Sequence, residues 1–223
     1  MKITNYLERI SQGAKNVLLA GLICLASSTM AQSTELSSEN PYVKLGQKAL
    51  IDGDFKNAVS HLEKALPSDP ENVNIMYMIG YSEYQLANYN GASKYFSKVI
   101  EKTPDNLSAY YYRGKSKSTE AVLPGKTSDA QRAKLLKESI DDFSKAIELN
   151  SSDMKLYQNR GIAYRDLGNL LGTTTSRNHD KEAATVAYDN CIKDLKVVIA
   201  KNPGRKDMAL ELRKATVYRD NLK

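Results

Sequence analysis

Between positions 41 and 51 the apolar residues Tyr42, Leu45, Ala49 and Leu50 recur three and four apart, the spacing that lines one face of a helix. Asp52-Gly53-Asp54 breaks that spacing and turns the chain. A second stripe follows at once in Phe55, Ala58, Val59, Leu62, Ala65 and Leu66. Pro67 and Pro70 close it, because proline has no backbone N–H with which to carry a helix further. The pattern predicts two short amphipathic helices joined by a tight turn.

The same pattern returns downstream at a constant interval. Gly46, Gly80 and Gly114 are equally spaced, and Tyr42, Met76 and Tyr110 keep the same step. So do Pro70 and Pro104, Asn72 and Asn106, Ala58 and Ala92, Asp54 and Asn88, and Phe55 and Tyr89. A first unit has Leu45-Gly46, Gly53-Asp54-Phe55, Ala58, Leu62, Ala65 and Pro70, and a second has Ile79-Gly80, Tyr89, Ala92, Phe96, Val99 and Pro104. In these residues and in their interval the units resemble the tetratricopeptide repeat, a helix-turn-helix of about 34 residues. That resemblance implies an all-α fold, an α-solenoid of four helix-turn-helix repeats over 39–72, 73–106, 107–153 and 154–205. In the last stretch, 206–223, Met208, Leu212, Ala215 and Leu222 share a side. It reads as a capping helix, which repeat arrays need because each inner unit leaves an apolar face bare.

Repeats three and four depart from the period. After Tyr110 and Gly114 the second-helix marker Phe143 comes later than the interval allows, so thirteen residues are added around Leu123-Pro124-Gly125-Lys126-Thr127. Ser128 and Gln131 look like a capping box that starts the next helix. In repeat four, Tyr157, Gly161, Ala163-Tyr164 and Leu167-Gly168 are followed by Leu195, Val198 and Pro203, which again come late, by eighteen positions. Gly172-Thr173-Thr174-Thr175-Ser176 there is a loop by composition. Both additions fall at the turn between first and second helices and are expected to project from one edge of the stack. The aromatic that the family places three residues after the glycine is absent from repeats one to three, and Ser151 replaces the closing proline of repeat three.

Two packing expectations follow. Gly46, Gly80, Gly114 and Gly161 sit inside predicted helices, where glycine costs about 1 kcal/mol relative to alanine. Close approach of the paired helix would offset that, with the small residues Ala58, Ala92, Ser139 and Cys191 facing the glycines. Arg113 and Arg160 precede the glycine in repeats three and four, where Leu45 and Ile79 stand in repeats one and two. The same two repeats carry Asp142 and Asp194 where the others carry His61 and Tyr95. Charges that arrive together imply ion pairs between helices, with arginine suited by its planar fork of donors; two unrelated surface charges are the alternative.

The first 31 residues read as a secretory signal. Lys2, Arg9 and Lys15 precede the ten-residue apolar run Val17–Ala26, and Thr29-Met30-Ala31 offers small residues for cleavage. Export, most simply to the periplasm, is the expectation, with 32–38 as a linker. The run is too short for the hydrocarbon thickness of about 30 Å. Cys191 is the one cysteine beyond that leader, so it has no partner for an internal disulfide and reads as a small buried residue.

Charge is uneven. Residues 32–200 hold 22 basic and 22 acidic side chains, whereas the final 23 hold seven basic against three acidic. That C-terminal excess suits an acidic partner or an anionic envelope surface; a solvated cap is the plainer reading. Nothing in the chain assembles a catalytic, cofactor or metal site. Gly125-Lys126-Thr127 lacks the earlier glycine of a phosphate-binding loop, Glu120 standing in its place. His61 and His179, the two histidines, lie on separate repeats. A neutral body and export also argue against nucleic acid.

The resemblance implies that first helices line a concave face where another protein or peptide binds. The family's inner positions fall on Asn74, Tyr77, Tyr81, Tyr84 and Gln85 in repeat two and on Tyr111, Tyr112 and Lys115 in repeat three, with Gln47 and Gln158 to either side. Tyrosines flanked by amides suit protein recognition; packing between repeats is the competing role. The family's carboxylate-clamp positions hold Val43, Gln47, Met78, Ser108 and Tyr112, so the clamp is absent. The function expected is an exported protein-interaction module. The alternative is a structural subunit of an envelope assembly that docks through its inserted loops and basic C-terminal helix.

Overall fold

A computed structural model describes residues 40–125, 127–173 and 179–222. The secretory signal, the linker at 32–38, Lys126 and most of the threonine-rich loop lie outside the described residues. Nine α-helices occupy the described residues: α1 Pro41–Ile51, α2 Phe55–Ala65, α3 Val73–Gln85, α4 Tyr89–Lys102, α5 Leu107–Val122, α6 Asp129–Leu149, α7 Met154–Gly172, α8 Lys181–Lys201 and α9 Lys206–Asp220. They form four antiparallel hairpins, α1–α2 to α7–α8, and each hairpin packs on the next.

The helix starts follow from side chains that satisfy the orphan amides of a first turn. Asn40, Asn72 and Asn106 accept from the amides of Tyr42, Ile75 and Ala109 at the starts of α1, α3 and α5. Asp54, Asn88, Ser128 and Asp180 cap α2, α4, α6 and α8 in the same manner. Gly53 in the first hairpin turn has φ +76°, a left-handed conformation that glycine adopts without penalty. Ala87, one period later, takes φ 59° in the matching turn.

Consecutive first helices (α1, α3, α5, α7) touch each other more than consecutive second helices do. The stack therefore curves with first helices on the inside. α9 packs on α8 and α7 where a fifth first helix would lie, and it buries Met208 and Ala215 against Tyr188, Cys191, Leu195 and Val198. The capping expectation holds. At the other end, α1 has no covering helix among the described residues. Tyr42 and Leu45 are 41% and 45% exposed, whereas their repeat-two counterparts Met76 and Ile79 are 4% and 0% exposed beneath α2.

The glycine expectation holds in part. A Cβ on Gly80 would stand 3.2 Å from Tyr95 Cβ and 3.3 Å from the Phe96 ring, and one on Gly114 3.1 Å from the Phe143 ring. Close approach is real, but its neighbours are the markers Leu62, Phe96, Phe143 and Leu195 and the residue before them, not the small residues. Those residues are buried nearby, and Ser139 donates its hydroxyl to the Gly114 carbonyl at 2.8 Å.

The paired charges meet. Arg113 grips Asp142, and Arg160 grips Asp194, with both carboxylates almost fully buried. Each arginine also reaches back to the preceding second helix, where Nη1 donates to Ser97 Oγ and Ser144 Oγ respectively, each at 3.0 Å. Each guanidinium lies over the tyrosine three residues earlier, Tyr110 or Tyr157. One arginine thus ties its own hairpin together and fastens it to the one before. In repeat two the equivalent link is Tyr95 Oη, which donates to Glu63 Oε1 at 3.1 Å.

The insertions take a different form from the loops expected. α5 runs 16 residues where α3 runs 13, and α6 runs 21 where α4 runs 14, so ten of thirteen added residues are helix. α7 and α8, with 19 and 21 residues, lengthen likewise. The extended ends bury Ala121, Ala133, Leu136, Leu167, Leu170, Leu171 and Ala184 in one cluster. Apolar residues at helical spacing within the additions account for this: the extra length makes a core of its own.

Candidate protein-interaction face

The residues expected on the concave face lie on α3 and α5, both first helices, and divide into two sets. Tyr112 is the centre of the first. Its ring stacks on Phe96 at 5.6 Å and takes edge contacts from Tyr77 at 6.3 Å, Tyr81 at 5.4 Å, Tyr84 at 5.5 Å and Tyr111 at 5.1 Å. Edge-to-face pairs of this kind add about 0.5–1.5 kcal/mol each beyond area burial. Burial pushes the Tyr77 and Tyr112 hydroxyls far above the usual phenol range, and those of Tyr81 and Tyr111 upward too. Tyr81 is 8% exposed and packs against Phe55 of repeat one. Tyr77, Tyr81 and Tyr112 therefore hold repeats together.

The second set lies beside this cluster and is partly open to solvent. Asn74 is exposed, and Tyr84, Gln85, Tyr111 and Lys115 are half-buried. Lys115 Nζ stands 5.4 Å from the centroid of the Tyr84 ring and 5.7 Å from that of Tyr111, a cation between two aromatic faces. Gln47 is half-buried in repeat one, and Gln158 is taken by Arg205, whose Nη2 donates to its Oε1 at 3.0 Å. What the sequence could not divide was aromatic mortar from aromatic surface, since Tyr77, Tyr81, Tyr84, Tyr111 and Tyr112 all fall at inner positions.

Cys191 is fully buried between α8 and α9, and burial pushes its thiol up to about 12. A thiol so placed stays protonated near neutral pH and is a packing residue. The C-terminal charge excess is partly spent within the fold: Arg205 pairs with Asp207, Lys214 with Glu211, and Arg219 with Asp189 and Asp220.

Residues 49–116 match the family model of the tetratricopeptide repeat. Over that stretch the chain is similar to the tetratricopeptide repeat. The matched stretch runs from the end of α1 to the middle of α5, and the structure continues the same hairpin through repeats three and four. Among solved structures, the tetratricopeptide-repeat protein YrrB, described as having an unusual peptide-binding site, is 21% identical with a TM-score of 0.55, over 81% of this chain and 76% of its own. A crystal structure of MamA is 20% identical with a TM-score of 0.52, over 80% of this chain and 90% of its own. Likeness at this identity is likeness of fold. No curated protein matches the sequence.

Proposed function

We propose that this chain is an exported interaction module that takes a protein segment along its inner face, across α3 and α5. The observation that carries the reading is the division of the tyrosines. A packed aromatic cluster of buried Tyr81 with half-buried Tyr77 and Tyr112 fixes α3 and α5, and Asn74, Tyr84, Gln85, Tyr111 and Lys115 are presented beside that support. Binding sites gain affinity when the contacting side chains are held in place beforehand. The peptide-binding site named for YrrB lies on a similar fold and supports the same use here. Export, to the periplasm in this reading, rests on the leader pattern of residues 1–31.

One observation favours a second reading, docking of the cap into a larger envelope assembly. α9 turns Leu210, Val217 and Tyr218 outward at 52%, 46% and 47% exposure, beside the exposed Arg213. Exposed apolar residues on one short helix are a small patch, well below a standard interface on their own. The inserted segments add little to this reading, because most of their length is packed helix.

Position-specific photocrosslinking in cells separates the two. A photoreactive amino acid at Asn74 or Gln85 should trap a partner, and one at Leu210 or Arg213 should not. Trapping from α9 alone would transfer the function to the cap. Tyr77→Ala and Tyr81→Ala are poor probes, because their loss would empty the packing between repeats before it touched a binding surface.

A further inference from the structure

Among the described residues, every half-buried lysine or arginine has a carboxylate within salt-bridge distance except one. Arg113, Lys117, Arg132, Arg160, Arg165, Arg205 and Arg219 are paired. Lys115, half-buried on the inner side of α5, makes no such pair. Its ammonium rests between the Tyr84 and Tyr111 rings. The aromatic cluster around Tyr112 fixes the base of both rings. A partly dehydrated cation held by π-faces alone keeps its hydrogen-bonding capacity for something else.

We propose that Lys115 is the seat for an aspartate or glutamate side chain of the bound segment, flanked by apolar or aromatic residues that lie on Tyr84 and Tyr111. This rests on the inner-face reading and gives its partner a chemistry. One cation matches one carboxylate, and a charge-assisted bond made in this partly dry place is stronger than the same bond on an open surface. The seat lies in the middle of the array, with α3 on one side and α7 on the other. A segment crossing it continues in both directions, so the carboxylate belongs to an internal residue. The half-buried amides Gln85 on α3 and Asn159 on α7 stand to either side, and Asn159 Nδ2 donates to the Lys155 carbonyl at 2.6 Å.

The test is selection from a random peptide library displayed as N-terminal fusions on phage, a format that offers no free C-terminal carboxylate. The purified chain should enrich peptides with Asp or Glu at one fixed position. Replacing that residue by its amide should weaken binding about tenfold or more. Lys115→Met, which keeps the apolar stem, should still enrich peptides but without the acidic position, and Lys115→Glu should exchange it for Lys or Arg. Circular dichroism and Tm establish that both variants fold. Peptides enriched by the native chain with no acidic preference would overturn the seat and leave the inner-face reading in place. No enriched peptide at all, from a folded chain, would remove both.

Discussion

Arg160 is the sole cation among the described residues within salt-bridge reach of Asp194, whose two carboxylate oxygens it holds through Nε and Nη2, each at 2.8 Å. Asp142, its counterpart one repeat earlier, has two: Arg113 and Lys117, the latter at 3.1 Å. Removing one partner of a buried pair strands the other, at a cost of about 3–5 kcal/mol. Arg160→Leu should fall in that range, and Arg113→Leu should cost distinctly less, because Lys117 stays with Asp142. Urea unfolding of both variants checks the order. Equal losses would mean that Lys117 does not hold the carboxylate.

The repeat-two solution to the same junction is apolar and neutral, Ile79 with Tyr95. Transplanting it as Arg113→Ile with Asp142→Tyr should restore most of the stability that Arg113→Ile alone removes. A double-mutant cycle over these two sites reads the coupling directly, and additive losses would speak against the exchange.

A β-carbon on Gly80 would lie 3.2 Å from Tyr95 and 3.3 Å from Phe96. Alanine there gains helix propensity of about 1 kcal/mol and loses a comparable amount to crowding, so the net change in Tm is small. Leucine cannot be accommodated in the same way and should cost roughly 1–3 kcal/mol. An unchanged melting temperature for Gly80→Leu would show that α3 and α4 are not held at this distance.

Ala87 occupies the left-handed turn position that glycine fills at Gly53. For an L-residue with a side chain that conformation costs roughly 1–2 kcal/mol, part of which glycine would give back through its freer unfolded chain. Ala87→Gly should therefore stabilise the protein by roughly 0.5–1 kcal/mol. Thermal unfolding decides the sign.

The tyrosines at 77, 81, 95, 111, 112, 164 and 188 have hydroxyls raised above the ordinary phenol value, chiefly by burial. These acids keep their protons in the folded state while the unfolded chain releases its own near pH ~10. The unfolded state then binds fewer protons than the native one, so stability is constant below that pH and falls as pH rises past it. Absorbance of tyrosinate at alkaline pH should show these side chains ionising together with loss of helix. Free ionisation of all tyrosines in a still-helical protein would contradict the packed cluster.

The hairpins, their order and the cap were readable because a helix announces itself through spacing, and stacking brings that spacing back at one fixed interval. The coupled appearance of Arg113 with Asp142 and of Arg160 with Asp194 disclosed contacts between helices without any structure. Asn72 and Asn106 kept the period too, and their capping role was available from their position alone. Other features lay beyond a one-dimensional pattern. The additions near Leu123 read as loop because Pro124 and Gly125 dominate there, while Ala133, Leu136 and Ile140 beyond them are spaced for helix. The roles of Tyr81 and Tyr84 differ by which way a ring turns, and that is set by Phe55, Tyr89 and Tyr112 on other elements.

The arginine junctions also give the array two mechanical halves. Between the early hairpins the contacts are mostly apolar, and such surfaces slide by fractions of an ångström at little cost. Between the later ones, bidentate bonds from Arg113 and Arg160 tolerate almost no rotation before they break. An array built this way bends and twists between repeats one and two while repeats two to four move as one block, so a segment lying over Tyr84 and Lys115 rests on the stiff part of the array.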